Sequence, residues 1–468
     1  MILIFNENSD LKPINFNIFN MKQKTNGLSR RKFLGNAAAV GAVGALGVSQ
    51  LLSACDRIKI PKDLVLPPLL DQAPDGELIK AGVIGCGGRG TGAALNFLSA
   101  GPNLQVVALA DVFQDRIDNC RKELKTEKGV DIPDEKCFAG FDGYKKLLES
   151  GVDYVIIATP PYFRPEIFKA AVEAKKNIFF EKPVAVDPVG IRTIMSAGKQ
   201  AEAFGLSVVT GTQRRHQRDY IETYKRIMGG AIGNIVAANA YWNQSKLWHR
   251  DRLPEWSDME FMIRDWVNWT WLSGDHIVEQ HVHNLDVIHW FTGKNPLSAV
   301  GMGSRQRRVT GDQYDNFSVD FVYEGNVHMH SMCRQINDCT NNTSEYIRGT
   351  KGYSNCQDTI WNPDGTVLWT YEYPLNEAGE PTLKVDPYVQ EHIDLITAIR
   401  TNKPVNEVEQ VAHSNLTAIM GRVSAYTGKE VTWDEIMASD LQLGPKVLEL
   451  GKVDMEFPVP IPGSAPQV

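Results

Sequence analysis

The stretch from Leu78 to Gly92 constrains this chain most. An apolar strand pattern, Ile79 to Ile84, runs straight into Gly85-Cys-Gly-Gly-Arg-Gly90, and a helical pattern follows from Ala93 to Leu98. Gly-x-Gly-x-x-Gly is a weak signal alone; between a strand and a helix it has the order a dinucleotide site needs. Gly85 permits the tight turn, Gly87 lets backbone approach a pyrophosphate, and Gly90 allows close packing of helix on strand. The helix N-terminus then presents unpaired N–H groups to the phosphates, and Gly88 and Arg89 of the same turn join the cofactor-binding candidates. A second strand, Leu104 to Ala110, ends in Asp111, 21 residues after Gly90. An acid there accepts hydrogen bonds from ribose hydroxyls and repels a 2′-phosphate, so the predicted cofactor is NAD. The alternative is a glycine-rich surface loop beside a solvated aspartate, and the flanking strand and helix weigh against it.

Strand and helix patterns alternate from Ile79, which implies a doubly wound parallel sheet. Asp153 to Ala158 reads as a central strand and ends at Thr159-Pro160-Pro161. A helix pattern, Pro165 to Ala174, leads to a strand, Asn177 to Phe180, that delivers Glu181-Lys182-Pro183. Ligands bind beyond the carboxyl ends of such strands, so Thr159, Pro160, Glu181 and Lys182 join the cofactor-binding candidates. One more strand, Ser207 to Thr210, ends at Gly211-Thr-Gln-Arg-Arg215-His216. After residue 230 strand-like runs follow one another, interrupted by one helix, Gly274 to Phe291, and closed by helices Tyr388 to Arg400 and Val408 to Tyr426. The predicted fold class is therefore α/β. An N-terminal Rossmann dinucleotide-binding domain spans 77–212, and a C-terminal α+β substrate domain with a mostly antiparallel open sheet spans 213–440. The tail, 441–468, reads as extended and suited to covering a neighbour.

The N-terminus stands outside this plan. Ser29-Arg30-Arg31-Lys-Phe-Leu34 precedes an uncharged Gly/Ala-rich run to Cys55, the pattern of an export signal. The paired arginines resemble a twin-arginine signal and Leu52-Ser-Ala-Cys55 a lipobox, with Cys55 as the lipid-bearing residue of the mature protein. Residues 1–55 are thus read as an export signal, with Met21 a better start than Met1, and 56–76 as a Pro-rich arm. The predicted address is periplasmic, with the membrane reached only through a lipid anchor on Cys55. The rival, an uncleaved membrane span, is disfavoured by the poor hydrophobicity of so many Gly and Ala residues. Formal charge is −7 over 468 residues, with no basic patch, which argues against nucleic-acid binding. Beyond Cys55 six cysteines remain, irregularly spaced and without a Cys-x-x-Cys pair, so neither zinc nor a disulfide framework is indicated.

Lys182 sits at the predicted sheet mouth, immediately before Pro183, which limits its backbone. A lysine beside an oxidised nicotinamide, near positive charge and partly desolvated, is pushed toward its neutral form. It then suits a general base that takes a hydroxyl proton. At helical spacing Glu279, His283, Asp286 and Trp290 fall near one face, so Glu279 is expected to orient His283, whose other nitrogen bonds a substrate hydroxyl. Four histidines in this segment raise a metal reading, but their spacing matches no zinc motif and no metal is predicted. Seven of the ten tryptophans lie between Trp242 and Trp290. Aromatic faces stack on sugar C–H faces, although core packing accounts for most of them. Arg215, His216, Trp271 and Asp286 are the candidate substrate-binding residues.

Gly85-x-Gly87-x-x-Gly90, Glu181-Lys182-Pro183 and Glu279…His283-Asn-Leu-Asp286…Trp290 resemble the Gfo/Idh/MocA family over about residues 78–435. The resemblance implies NAD-dependent oxidation of a sugar, polyol or glycoside hydroxyl, with Lys182 and His283 in the catalytic lysine and histidine roles and a homo-oligomeric assembly. Two departures bear on the substrate: Glu279 stands where the family often has Asp, and Arg164 where a histidine is common after Thr-Pro. A redox-neutral glycosidase is the first rival; there oxidation at C3 acidifies the C2 proton, the aglycone leaves, water adds and the hydride returns. A non-catalytic sugar sensor is the second, disfavoured by intact Lys182 and His283. The export signal beside a complete dinucleotide site implies a protein exported folded, with its cofactor tightly held.

Overall fold

The structure, a computed structural model, describes residue 64 and residues 66–463. The export signal, with Arg30, Arg31 and Cys55, lies outside these residues. Six strands form a parallel sheet: β1 (Ile79–Ile84), β2 (Leu104–Asp111), β3 (Cys137–Ala139), β4 (Tyr154–Ile157), β5 (Asn177–Phe180) and β6 (Val208–Thr210). Their order is β3-β2-β1-β4-β5-β6, so the chain reverses direction between β1 and β4 and leaves a crevice beyond their carboxyl ends. The strands are short continuous apolar runs because helices cover both faces; every residue of β4 is buried. Helices α1 (Gly88–Ser99), α2 (Gln114–Lys128), α3 (Gly143–Leu148), α4 (Arg164–Glu173) and α5 (Pro188–Ala203) provide the crossovers. This is the predicted α/β Rossmann domain.

The second sheet has nine strands. β7 (Ile235–Gln244), β8 (Ser298–Ser304), β9 (Asn316–Tyr323), β10 (Val327–Gln335) and β11 (Asn342–Gly349) are its long members. Only the β7–β10 pairing is parallel, so the predicted mostly antiparallel sheet is found. In β9 burial alternates, with Phe317, Val319, Phe321 and Tyr323 inward, the period-2 pattern of a sheet covered on one face. The sheet joins the Rossmann domain through α6 (Arg218–Met228), and α7 (Asp258–Arg264), α8 (Thr270–Ser273), α9 (His276–Glu279) and α10 (Val282–Thr292) follow β7. Late in the chain come α11 (Pro387–Arg400) and α12 (Val408–Thr427).

Three features differ from the sequence reading. First, the helix expected over Gly274–Phe291 is two helices, α9 and α10. They break where the Gln280 side chain meets Gln335 and His281 turns its Nε2 to Ser331 Oγ at 2.6 Å. Second, α11 does not stay with the second sheet. Its Ile393, Leu395 and Ile396 are buried in the Rossmann core, and His392 Nδ1 lies 2.8 Å from Tyr154 Oη of β4. Third, the described parts of the arm and of the tail both dock on this chain itself. Gln390 donates to Leu70 O (3.0 Å) and Arg400 to Pro74 O (2.6 Å), while Tyr314 Oη donates to Pro460 O (2.8 Å). The six cysteines among the described residues are all free. Among the same residues no helix is long and apolar enough to cross a membrane.

Candidate active site

Beyond the carboxyl ends of β1, β2 and β4 lies a cavity of about 520 Å³. Gly85, Gly87, Gly88, Arg89, Asp111 and Thr159 form part of its wall. Gly85 has φ +93°, where a side chain is strained, and a Cβ there would also overlap the Ala158–Thr159 peptide. A Cβ on Gly90 would collide with the Gly85 carbonyl oxygen, so only glycine lets α1 approach β1 this closely. At Gly87 and Gly88, by contrast, a Cβ would meet nothing within 4 Å, because these positions open onto the cavity. The first-turn N–H groups of α1 have no acceptor within the helix, and Thr159 Oγ1 is buried with no hydrogen-bond partner among the described residues. Asp111 accepts from Cys86 N at 2.7 Å and from Phe113 N at 3.0 Å, which pins its carboxylate at the cavity wall. Burial raises its pKa, against those two hydrogen bonds. Open backbone donors, an unmatched hydroxyl and a fixed carboxylate fit the phosphates and ribose of a dinucleotide.

Glu181-Lys182-Pro183 follows β5, and Lys182–Pro183 is a cis peptide. Arg164, at the start of α4, holds this turn against the end of β4. Its guanidinium donates to Thr159 O (2.9 Å), Glu181 O (2.9 Å) and Pro183 O (2.6 Å). Burial pushes its pKa down to about 10, which still leaves it charged at neutral pH. Lys182 Nζ donates to Glu279 O at 2.6 Å and to Glu279 Oε1 at 3.2 Å, with both side chains nearly buried. An ammonium has three donors, so one is left for a ligand oxygen. Glu181 pairs with Arg89 of the cavity wall (2.5 Å), whose other flank faces the buried Glu391 at 3.7 Å.

His283 stacks on Trp242, ring centroids 5.6 Å apart and planes 19° from parallel. Burial, then the positive charges of Lys182, Arg214 and Arg89, hold its pKa well below the usual histidine value. A neutral imidazole offers one donor and one acceptor, which suits orienting a hydroxyl. The expected Glu279–His283 hydrogen bond is absent among the described residues, because the break between α9 and α10 turns Glu279 to Lys182 instead. The other three histidines of the segment diverge, His276 to Asp275, His281 to Ser331 and His289 to Lys294 O. Among the described residues no cluster is arranged to hold a metal ion.

The four substrate-binding candidates all have partners within the chain. Arg215 makes a two-pronged ion pair with Asp286 (2.8 and 2.9 Å) and bonds Gln410 (2.7 Å), so both charges are buried and satisfied internally. Trp271 packs edge-on to Tyr162 beneath the C-terminal tail. His216 lies between Asp394 (2.8 Å) and Glu407 (3.0 Å). Burial alone would lower its pKa, but Glu407 and Asp394 more than reverse this and hold it well above 6.5. Its contribution to stability is therefore complete below the unfolded value of about 6.5 and is lost as pH rises through the raised folded value. His216→Ala leaves two carboxylates facing each other and is expected to cost about 3–5 kcal/mol. The loss should shrink at higher pH, as measured by urea unfolding across pH; a loss independent of pH would contradict the charged assignment.

Sequence reasoning missed Arg214 and the role of Trp242. Arg214 pairs with Glu345, lies 5.8 Å over Trp242 and adds to the field on His283. Adjacent arginines in the turn after β6 point to different partners, and nothing in a single sequence separates them.

Two matches to known families bear on this arrangement. Residues 79–209 match the Gfo/Idh/MocA domain described as oxidoreductase family, NAD-binding Rossmann fold, and residues 220–354 match the family's C-terminal domain. Together they cover more than half of the chain. The chain belongs to the Gfo/Idh/MocA family. Among relatives of the family, it is 24% identical to the scyllo-inositol 2-dehydrogenase (NAD(+)) of Bacillus subtilis strain 168, over 52% of this chain and 63% of that protein. It is 32% identical to glycosyl hydrolase family 109 protein 5 of Phocaeicola vulgatus, over 52% of this chain and 47% of that one. The matches thus span about half to three fifths of these relatives. The fold is similar to that of scyllo-inositol dehydrogenase from Lactobacillus casei, solved with bound NAD(H) and scyllo-inositol. There the TM-score is 0.57 at 19% identity, over 76% of this chain and 99% of that one. The Rossmann half of this Gfo/Idh/MocA protein is accordingly of the NAD-binding type.

Proposed function

We propose that this protein is an NAD-dependent oxidoreductase acting on a CH–OH group of a sugar, polyol or glycoside, with Lys182 as the acid/base. The observation that carries the proposal is Lys182 Nζ, fixed by Glu279 from two directions beyond the carboxyl end of β5, near a neutral His283. Gly85 to Gly90, Asp111 and Thr159 would hold NAD, which would supply the hydride acceptor. Lys182 takes the hydroxyl proton when its amine is neutral and returns it when reduction runs the other way. His283, its ring plane set by Trp242, orients the same hydroxyl. Arg164 positions Lys182 through the Glu181 and Pro183 carbonyls.

A redox-neutral glycosidase is a second reading, favoured by the 32% identity to the glycosyl hydrolase family 109 protein. The proposal also takes Arg30-Arg31 and Cys55 as an export signal and lipid site, placing a homo-oligomer outside the cytoplasm, where free dinucleotide is scarce and the bound cofactor is retained. Mass spectrometry after incubation with a panel of polyols and glycosides separates the readings. A product lighter by two hydrogens supports oxidation, and a released aglycone supports the redox-neutral route. Unchanged substrates across a panel that includes inositols would count against both.

A further inference from the structure

The strand β7 ends at Gln244, and the chain then makes an excursion through α7 before α8. This excursion returns to the dinucleotide cavity. Val112, Phe113 and Phe141 wall the cavity beyond Asp111 on the Rossmann side, and Trp248, Ile263, Arg264 and Trp266 wall it from the second domain. Trp248 and Trp266 meet edge to face at 6.2 Å. Arg264 joins the two sides. Its Nη1 and Nη2 donate to the two carboxylate oxygens of Asp115, in the first turn of α2, at 3.1 and 2.9 Å. Its Nε donates to Glu260 at 2.9 Å, and its guanidinium lies 4.0 Å over the Phe113 ring. Phe113, Met259, Met262 and Ile263 form a small apolar cluster separate from the two main cores.

A simple contact between domains would be filled by side chains, because protein interiors leave few voids. Here the two walls are joined by a two-pronged ion pair and an apolar cluster, yet enclose open space continuous with the glycine turn. In a Rossmann site the volume beyond the acid ending the second strand lies on the adenosine side. Two tryptophans there offer flat apolar surface to a base, and Arg116 and Arg250 also line the cavity and favour an anionic ligand.

We infer that residues 248–266 form the outer wall of the adenosine end of the dinucleotide site, and that the Arg264–Asp115 ion pair latches this wall shut. The inference rests on the NAD-binding reading above and supplies the means by which cofactor is retained between turnovers. Release then requires the latch to open, so weakening it acts on the dissociation rate.

The test is an exchange measurement, independent of turnover. Protein loaded with NAD and freed of excess by gel filtration is chased with isotope-labelled NAD, and bound dinucleotide is identified by mass spectrometry. Arg264→Ala and Asp115→Ala break the same pair from opposite sides; Asp115 is half exposed, so its variant keeps the test valid should Arg264→Ala fail to fold. Slow exchange in the unaltered protein, accelerated about tenfold or more in the variants, is expected, since a charge-assisted two-pronged pair is lost. Slow exchange that the folded Asp115→Ala protein leaves unchanged would overturn the latch while retention stands. Exchange already fast in the unaltered protein would overturn retention and latch together, and failure to load NAD at all would overturn the cofactor reading.

Discussion

Replacing Lys182 by methionine should leave a folded protein that still holds its dinucleotide but turns over about 10²–10⁴-fold more slowly. The aliphatic stem of methionine keeps most of the volume of the lysine, and Arg164 continues to hold the surrounding turn through the Thr159, Glu181 and Pro183 carbonyls. What disappears is the nitrogen that meets a substrate hydroxyl and the partner of Glu279, whose side chain is only 11% exposed. Loss of that ion pair lowers stability as well, so the comparison must be made on protein shown to be folded and loaded. A folded, loaded Lys182→Met protein with near-normal turnover would remove Lys182 from the chemistry.

Gly90→Ala is the second substitution with a large expected effect, and it acts on binding. The added methyl would overlap the Gly85 carbonyl, backbone against backbone, so α1 must move away from β1. Overpacking typically costs about 1–3 kcal/mol. The larger consequence is displacement of the first-turn N–H groups that face the phosphates. Thermal unfolding with and without NAD reads both effects, because a ligand bound only to the folded state raises the midpoint. The unaltered protein should show that rise, and Gly90→Ala should show a lower midpoint with little or no rise. Gly87→Ala is the informative contrast: its Cβ meets no protein atom, so stability should persist while the rise shrinks. Equal rises in all three proteins would show that the glycine turn does not contact the dinucleotide.

Legibility from sequence followed the range of the interactions. Strands Ile79–Ile84 and Asn177–Phe180 begin and end where the residue pattern puts them, since a buried apolar run bounded by turn residues is a local signal. The glycine turn was equally plain, because its constraints are steric and lie within the motif. The break between α9 and α10 was not legible: Gln280 and His281 are not helix breakers, and they leave the helix for partners in β10, 55 and 50 residues further on. Arg215, His216 and Asp286 looked like ligand groups because charged residues near a sheet mouth often are. The acidic partners of Arg215 and His216 come from α10, α11 and the residue before α12, which no local pattern announces. For the same reason nothing in the tryptophan-rich segment pointed to the dinucleotide cavity, or in α11 to the Rossmann core.

The most direct test of the account is a single-turnover measurement on protein loaded with one equivalent of NAD. Mixed with a panel of polyols and glycosides, the unaltered protein should develop the absorbance of reduced nicotinamide with at least one of them, to no more than one equivalent. A redox-neutral substrate should make that absorbance rise and then decay. Lys182→Met should develop it about 10²–10⁴-fold more slowly. Reduced nicotinamide formed equally fast without Lys182, or no reduction by any inositol, sugar or glycoside in protein proven to hold NAD, would contradict the account.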